Sequence, residues 1–130
     1  DLLDNSKSIF LSFKKNNKNI NKINENYVKN MLKINFSRKF DIAEERLKLD
    51  KFDMKNRTIT LTILPRKVDT DSIMVDNVIK NIENTLKIGD IRVYNEDKSN
   101  YLIKIDDGGI ITENLNEIEI DNSSYTSNFN

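Results

Sequence analysis

Two aspartate pairs, a glycine pair and a series of lysines are the residues of this chain whose types and spacing could support chemistry. Asp69/Asp71 and Asp106/Asp107 offer carboxylate oxygens of the kind a divalent cation needs. A calcium loop, however, alternates its oxygen ligands and closes on a bidentate Glu, and neither stretch has that spacing. Asp69-Thr70-Asp71-Ser72 reads instead as a set of helix N-caps, and Asp106-Asp107-Gly108-Gly109 as a tight turn. Gly108-Gly109 is too short to cradle a phosphate, with no Lys-Ser or Lys-Thr after it. Ser and Lys are plentiful, yet none sits in a nucleophile motif. The chain has no His and no Cys. It therefore lacks the commonest general base, the commonest metal ligand and any disulfide framework. A hydrolase built from these residues would need a Ser–Lys or carboxylate pair. The expectation is a protein that is not an enzyme and takes no cofactor.

The lysines carry the strongest functional signal. Between residues 7 and 39 there are nine basic residues against Glu25 alone, so that stretch is +8 and the remainder −8, for a total of +0. Residues 7–36 contain no Gly and no Pro. At about 100° per residue, Ile9, Phe13, Ile20, Ile23, Tyr27 and Ile34 share one arc, which predicts one long amphipathic helix. Lys14, Lys15, Lys18, Lys22, Lys29 and Lys33 then fall on the opposite side as a stripe. Such a stripe suits an anionic polymer, DNA or a cell-wall polyanion, without sequence specificity; the alternative is a solvated face opposite a buried seam. Asn16 and Asn30 lie in the seam. They would set register in a coiled coil, bond a strand carbonyl if the helix lies on a sheet, or mark turns where the seam is only half buried.

The elements that must position this helix follow along the chain. Residues 37–45 read as a turn with a short helix. Leu47, Leu49 and Phe52, then Thr58–Leu64, alternate with period 2 on either side of Lys55-Asn56 and predict a hairpin. Pro65 ends it. Val75, Val78, Ile79, Ile82 and Leu86 recur at helical steps up to about Lys87, with Gly89 as the stop. Ile91–Tyr94 and Tyr101–Ile105 read as strands, and Ile110-Ile111 and Ile118–Ile120 as short edge strands. The expected fold is α+β: residues 1–120 form a single domain in which a long N-terminal helix, with a second helix, packs on an antiparallel sheet. Residues 121–130 form a polar tail. The Asn, Lys and Ile enrichment reads as the bias of an AT-rich bacterial genome. The start, Asp1-Leu2-Leu3-Asp4, suggests that a hydrophobic membrane segment precedes it.

This order of elements resembles the ectodomain of a type IV pilin or pseudopilin. Ser8–Phe36 looks like the soluble half of the pilin helix, and Thr58–Leu64, Ile91–Tyr94, Tyr101–Ile105 and Ile118–Ile120 like its sheet. The resemblance implies a structural subunit of an extracellular bacterial fibre. It would contact other pilin subunits through the N-terminal helix, and the membrane through a missing segment. The family's processing-site Gly, early membrane-embedded Glu and C-terminal Cys pair are absent, so no functional residue carries over. Arg46–Ile105 also resembles the ferredoxin-like domain of the inner-membrane alignment-complex proteins of pilus and secretion systems, which add a membrane helix and a coiled coil. A soluble nucleic-acid-binding module is the third reading.

Overall fold

Residues 7–15 form a strand. In the computed structural model, which describes residues 4–16, 24–67 and 73–111, β1 (Lys7–Lys15) is followed by α1 (Glu25–Phe40) and a 3-10 turn, Glu44–Arg46. Then come β2 (Leu47–Asp53), β3 (Thr58–Ile63), α2 (Val75–Ile88), β4 (Ile91–Tyr94) and β5 (Tyr101–Ile111). The five strands make one antiparallel sheet in the order β2-β3-β1-β5-β4, so the first strand is the central one. The path β1-α1-β2-β3-α2-β5 is a split βαβ layout, with β4 added as the strand beyond β5.

The long N-terminal helix packed on a sheet is thereby corrected. The expected seam joined Ile9 to Phe13 at a step of four, which is a multiple of the strand period as well as a helical step. Leu11 lies between them, outside the helical arc, and settles the matter: Ile9, Leu11 and Phe13 are all buried, while Phe10 and Lys14 are exposed. Period 2 with β-branched and aromatic residues favours a strand. Ile20 and Ile23 of the expected seam lie outside the described residues. The helix–strand–strand–helix–strand–strand order of the ferredoxin-like reading is present, but its sheet extends beyond Arg46–Ile105, because β1 is its central strand.

The helix that does form starts at Asn24, whose side chain accepts from the backbone N–H groups of Asn26 and Tyr27. This is standard N-cap chemistry. Its buried face is Val28, Met31, Leu32, Phe36 and Phe40, at steps of three and four. Tyr27 and Ile34, assigned to the seam, are only partly buried. The helix ends on Asp41 in the left-handed conformation, φ 54°, with its N–H donating to the Ser37 carbonyl. Arg57 (φ 59°) and Lys98 (φ 61°) hold the same conformation in turns. With only three glycines in the chain, these bends fall to residues that give up about 1 kcal/mol each for it.

The core is one cluster between the sheet and the two helices. Ile9, Leu11, Ile59, Leu61, Ile103 and Ile105 from the strands meet Leu32, Phe36, Val78 and Ile82 from the helices. Phe13 stacks on Phe52, with ring centroids 5.4 Å apart.

One glycine reading changes. Residues 106–109 are part of β5 rather than a turn, and a register shift opposite Ser12/Phe13 accommodates Asp106. Gly108 has no positive φ. It serves close packing instead, since a Cβ there would lie 2.8 Å from Leu11 Cδ2 and 3.2 Å from Leu86 Cδ1. Residues Asp69–Ser72 and Ile118–Ile120, like the tail 121–130, lie outside the described residues. The N-terminus of α2 is held by Asp4, whose Oδ1 accepts from the Val75 N–H at 2.7 Å.

A buried charge pair ties these elements together. Arg46 is 2% exposed. Its Nε donates to the Leu64 carbonyl at 2.9 Å and its Nη1 to the Ile73 carbonyl at 2.7 Å. Nη2 lies 3.8 Å from the Asp4 carboxylate. The same carboxylate accepts from the Arg66 backbone N–H at 2.7 Å. One ion pair thus fastens the N-terminal segment, the start of β2, the chain after β3 and the start of α2.

Candidate binding groove

The described lysines of the expected stripe do not share one helix. Lys14 and Lys15 are on β1, and Lys29 and Lys33 on α1; Lys18 and Lys22 lie outside the described residues. Lys14 is exposed and pairs with Asp106 at 3.2 Å, and Lys29 pairs with Glu25 one helical turn away at 3.4 Å. Because the expected helix is split into a strand and a shorter helix, the helical geometry that aligned these lysines is lost. Asn16 behaves as a strand-end residue: its side chain donates to the Tyr101 carbonyl at 2.8 Å and its backbone N–H to the Leu102 carbonyl at 3.1 Å. Asn30 is exposed on α1.

The concave feature lies elsewhere. A groove of about 720 Å³ runs between α1 and the β4 side of the sheet. α1 contributes Met31, Ile34, Asn35, Arg38 and Lys39. β4 and the turn after it contribute Asp90, Arg92, Tyr94, Asn95, Glu96 and Lys98. The helical spacing places Met31, Ile34, Asn35 and Arg38 along one flank, since residues three and four apart are neighbours on a helix surface.

Asn35 fixes the geometry. Its Oδ1 accepts from the Tyr94 N–H and its Nδ2 donates to the Tyr94 carbonyl, both at 3.0 Å. A side-chain amide thus pairs with the backbone of the edge strand much as a neighbouring strand would. The Tyr27 hydroxyl accepts from the Glu96 N–H at 3.2 Å, one turn beyond β4. Unpaired strand edges invite association, and proteins commonly cover them. Asn35→Ala is expected to cost about 1–3 kcal/mol, because the Tyr94 donor and acceptor lose their partner. Urea denaturation measures that loss, and light scattering should register concentration-dependent self-association through the bared edge.

The groove is more basic than acidic. Arg38, Lys39, Arg92 and Lys98 are all exposed. Asp90 and Glu96 oppose them, and Asp90 is engaged by Arg92 at 3.4 Å. Arg92 also lies over the Tyr101 ring, 4.7 Å from its centroid, a cation–π contact that holds the guanidinium in place. Met31, Ile34 and Tyr94 supply the apolar surface.

The shifted carboxylates lie in turns. Hydrogen bonds from Asn56, backbone first and then side chain, hold the Asp53 carboxyl below the usual aspartate range. Those from Ser99 do the same for Asp97. Both groups stabilise turns, as Asp does when it accepts from the backbone two residues on. Among the described residues no cluster of three or more acidic side chains could hold a metal ion, and no helix is long and apolar enough to cross a membrane.

Sequence reasoning passed over this groove because its two walls are some sixty residues apart, and because its residues match no motif. The one local signal is Asn35, a polar residue between the apolar Ile34 and Phe36. Compared with family models, curated proteins and solved structures, the chain matches none of them.

Proposed function

We propose that the protein is a non-catalytic assembly domain that recognises another polypeptide through the α1–β4 groove. The groove is the observation that carries the reading: a cleft with apolar and basic walls beside a strand edge suits protein docking better than chemistry. The chain path supports a more specific assignment. α1-β2-β3 and α2-β4-β5 are two successive helix–hairpin units, the order on which the resemblance to the inner-membrane alignment complexes of pilus and secretion systems rests. A bacterial cell-envelope location belongs to the same proposal. The fibre-subunit reading has less support, because the spine through which subunits would bundle is in part a central strand. Nucleic-acid binding has less support as well, with its lysines divided between two elements.

Photo-crosslinking in cells tests the assembly reading. A photoreactive residue at Ile34, within the groove, should give a discrete adduct with a second polypeptide in the envelope fraction. The same residue at Lys80, on the exposed side of α2, should give none. Equal labelling at both positions, or no protein adduct at Ile34, rejects the proposal.

A further inference from the structure

We infer that the occupant of the groove is an extended acidic peptide segment of the partner, added as a short strand to the outer edge of β4. The inference rests on the assembly reading and names what that surface takes.

Three observations carry it. The first is backbone direction. In an extended strand, the N–H and C=O of alternate residues point to the same edge. Those of Tyr94 point to α1, where Asn35 receives them. The register shift between Val93 and Tyr94 puts its extra residue, Leu102, on β5 and leaves β4 regular, so those of Arg92 face the same groove, which Arg92 lines. β4 is the last strand on this side of the sheet. Asn35 already imitates one residue of a sixth strand at Tyr94. A peptide lying below it would continue that pairing at Arg92, and strand addition of this kind draws its affinity from main-chain hydrogen bonds.

The second observation is charge. Arg38 and Lys39 rise from α1, and Lys98 from the β4–β5 turn, with no ion pair to any of the three among the described residues. Asp90 is already neutralised by Arg92. Glu96 is the remaining acid against Arg38, Lys39 and Lys98, so the surface facing the incoming strand is net cationic, and acidic side chains complement it. The third is the apolar surface of Tyr94, half-buried and on the strand face opposite the buried Val93. In a strand, alternate side chains point to opposite faces. A peptide that alternates acidic and β-branched residues would present its carboxylates to Arg38 and Lys39 on α1 and its apolar side chains to the other face, beside Tyr94. A nucleic acid could use the cations but has no amide ladder to offer the strand edge.

Fluorescence anisotropy with the intact chain tests this. The probe is a fluorescein-labelled pentapeptide of alternating glutamate and valine. It should bind saturably. The same peptide N-methylated at alternate amides should bind at least about tenfold more weakly, because strand pairing is blocked. The double charge reversal Arg38→Glu with Lys39→Glu should weaken the unmodified peptide about tenfold or more. Both sites are exposed in the last turn of α1, where glutamate opposes the helix dipole, so the variant should melt slightly below the parent chain and still unfold in one cooperative step. Nitrogen-15 chemical-shift changes should centre on Arg92 and Asn35. Equal binding of the methylated peptide, or tighter binding of a thymidine octanucleotide than of the peptide, overturns the inference. If Ile34 still crosslinks to a protein while the peptide fails, the assembly reading stands and strand addition alone is rejected.

Discussion

Arg46→Ala is expected to destabilise the fold by about 3–5 kcal/mol, the range for breaking one side of a buried ion pair. Arg46 is 2% exposed, so water cannot take over the work of its guanidinium. Its removal leaves the Asp4 carboxylate with only the more exposed Arg66 guanidinium as a cationic neighbour, 4.0 Å away, and takes hydrogen-bond donors from the carbonyls of Leu64 and Ile73. In a thermal melt the loss should appear as a fall in Tm of about 10–20 °C for a chain of this size. Asp4→Asn should cost less. An amide oxygen can still accept from Val75 or Arg66, as the carboxylate does, so hydrogen bonds survive although the charge is lost. A cost for Arg46→Ala within about 0.5 kcal/mol, the range of ordinary surface changes, would mean that the pair does not fasten β2 to α2. Arg46→Met tests a different point. Well-packed apolar replacements of buried ion pairs are sometimes neutral, but here the two carbonyls would still lack donors, so the variant should remain less stable than the parent.

Leu11→Ala is the second large effect. Leu11 is 0% exposed in the central strand, between Ile59 on β3 and Gly108 on β5. Truncating a fully buried leucine costs about 2–5 kcal/mol, depending on how far the cavity collapses. Collapse should be limited here, because Gly108 leaves no side chain to fill the space. Phe10→Ala, one residue away, should cost far less, since Phe10 is 40% exposed on the opposite face of the strand. Denaturant unfolding of the two variants side by side is therefore a phase measurement. A large loss at Leu11 with a small one at Phe10 fits a strand of period 2. On the helical arc drawn from Ile9 to Ile34 neither residue was in the seam, so that arrangement would give two small losses.

The groove connects these stability arguments to function. Asn35 and Arg92 sit on elements whose positions depend on the packing around β1. Phe36, next to Asn35, is buried in the core, and Val93, next to Arg92, is fully buried as well. These two groove residues thus project from a backbone locked by an immediate neighbour. A binding site built this way is held rigid before a partner arrives, which limits the ordering cost of association.

Where local periodicity was unambiguous, the nearby residues alone specified the element. The β2–β3 hairpin, with its run of alternating Thr and Ile, α2 with apolar residues at steps of three and four, and β4 with the first half of β5 could all be read from their residues. Each carries a single period and its own stop signal. The N-terminal third did not, because Ile9 and Phe13 satisfy two periods at once. The choice between helix and strand there depends on what covers Leu11, and that is decided by β3 and β5, both about fifty residues or more away in the chain. The same non-local pairing turned Gly108 from a turn residue into a packing residue, and it put Asp4 rather than a neighbouring side chain at the start of α2. It also divided the lysines and assembled the α1–β4 groove. Local sequence fixes which backbone period is favourable at close range. Only the sheet, whose strand order interleaves early and late segments, decides which side chains become neighbours, and hence which charges and strand edges face a partner.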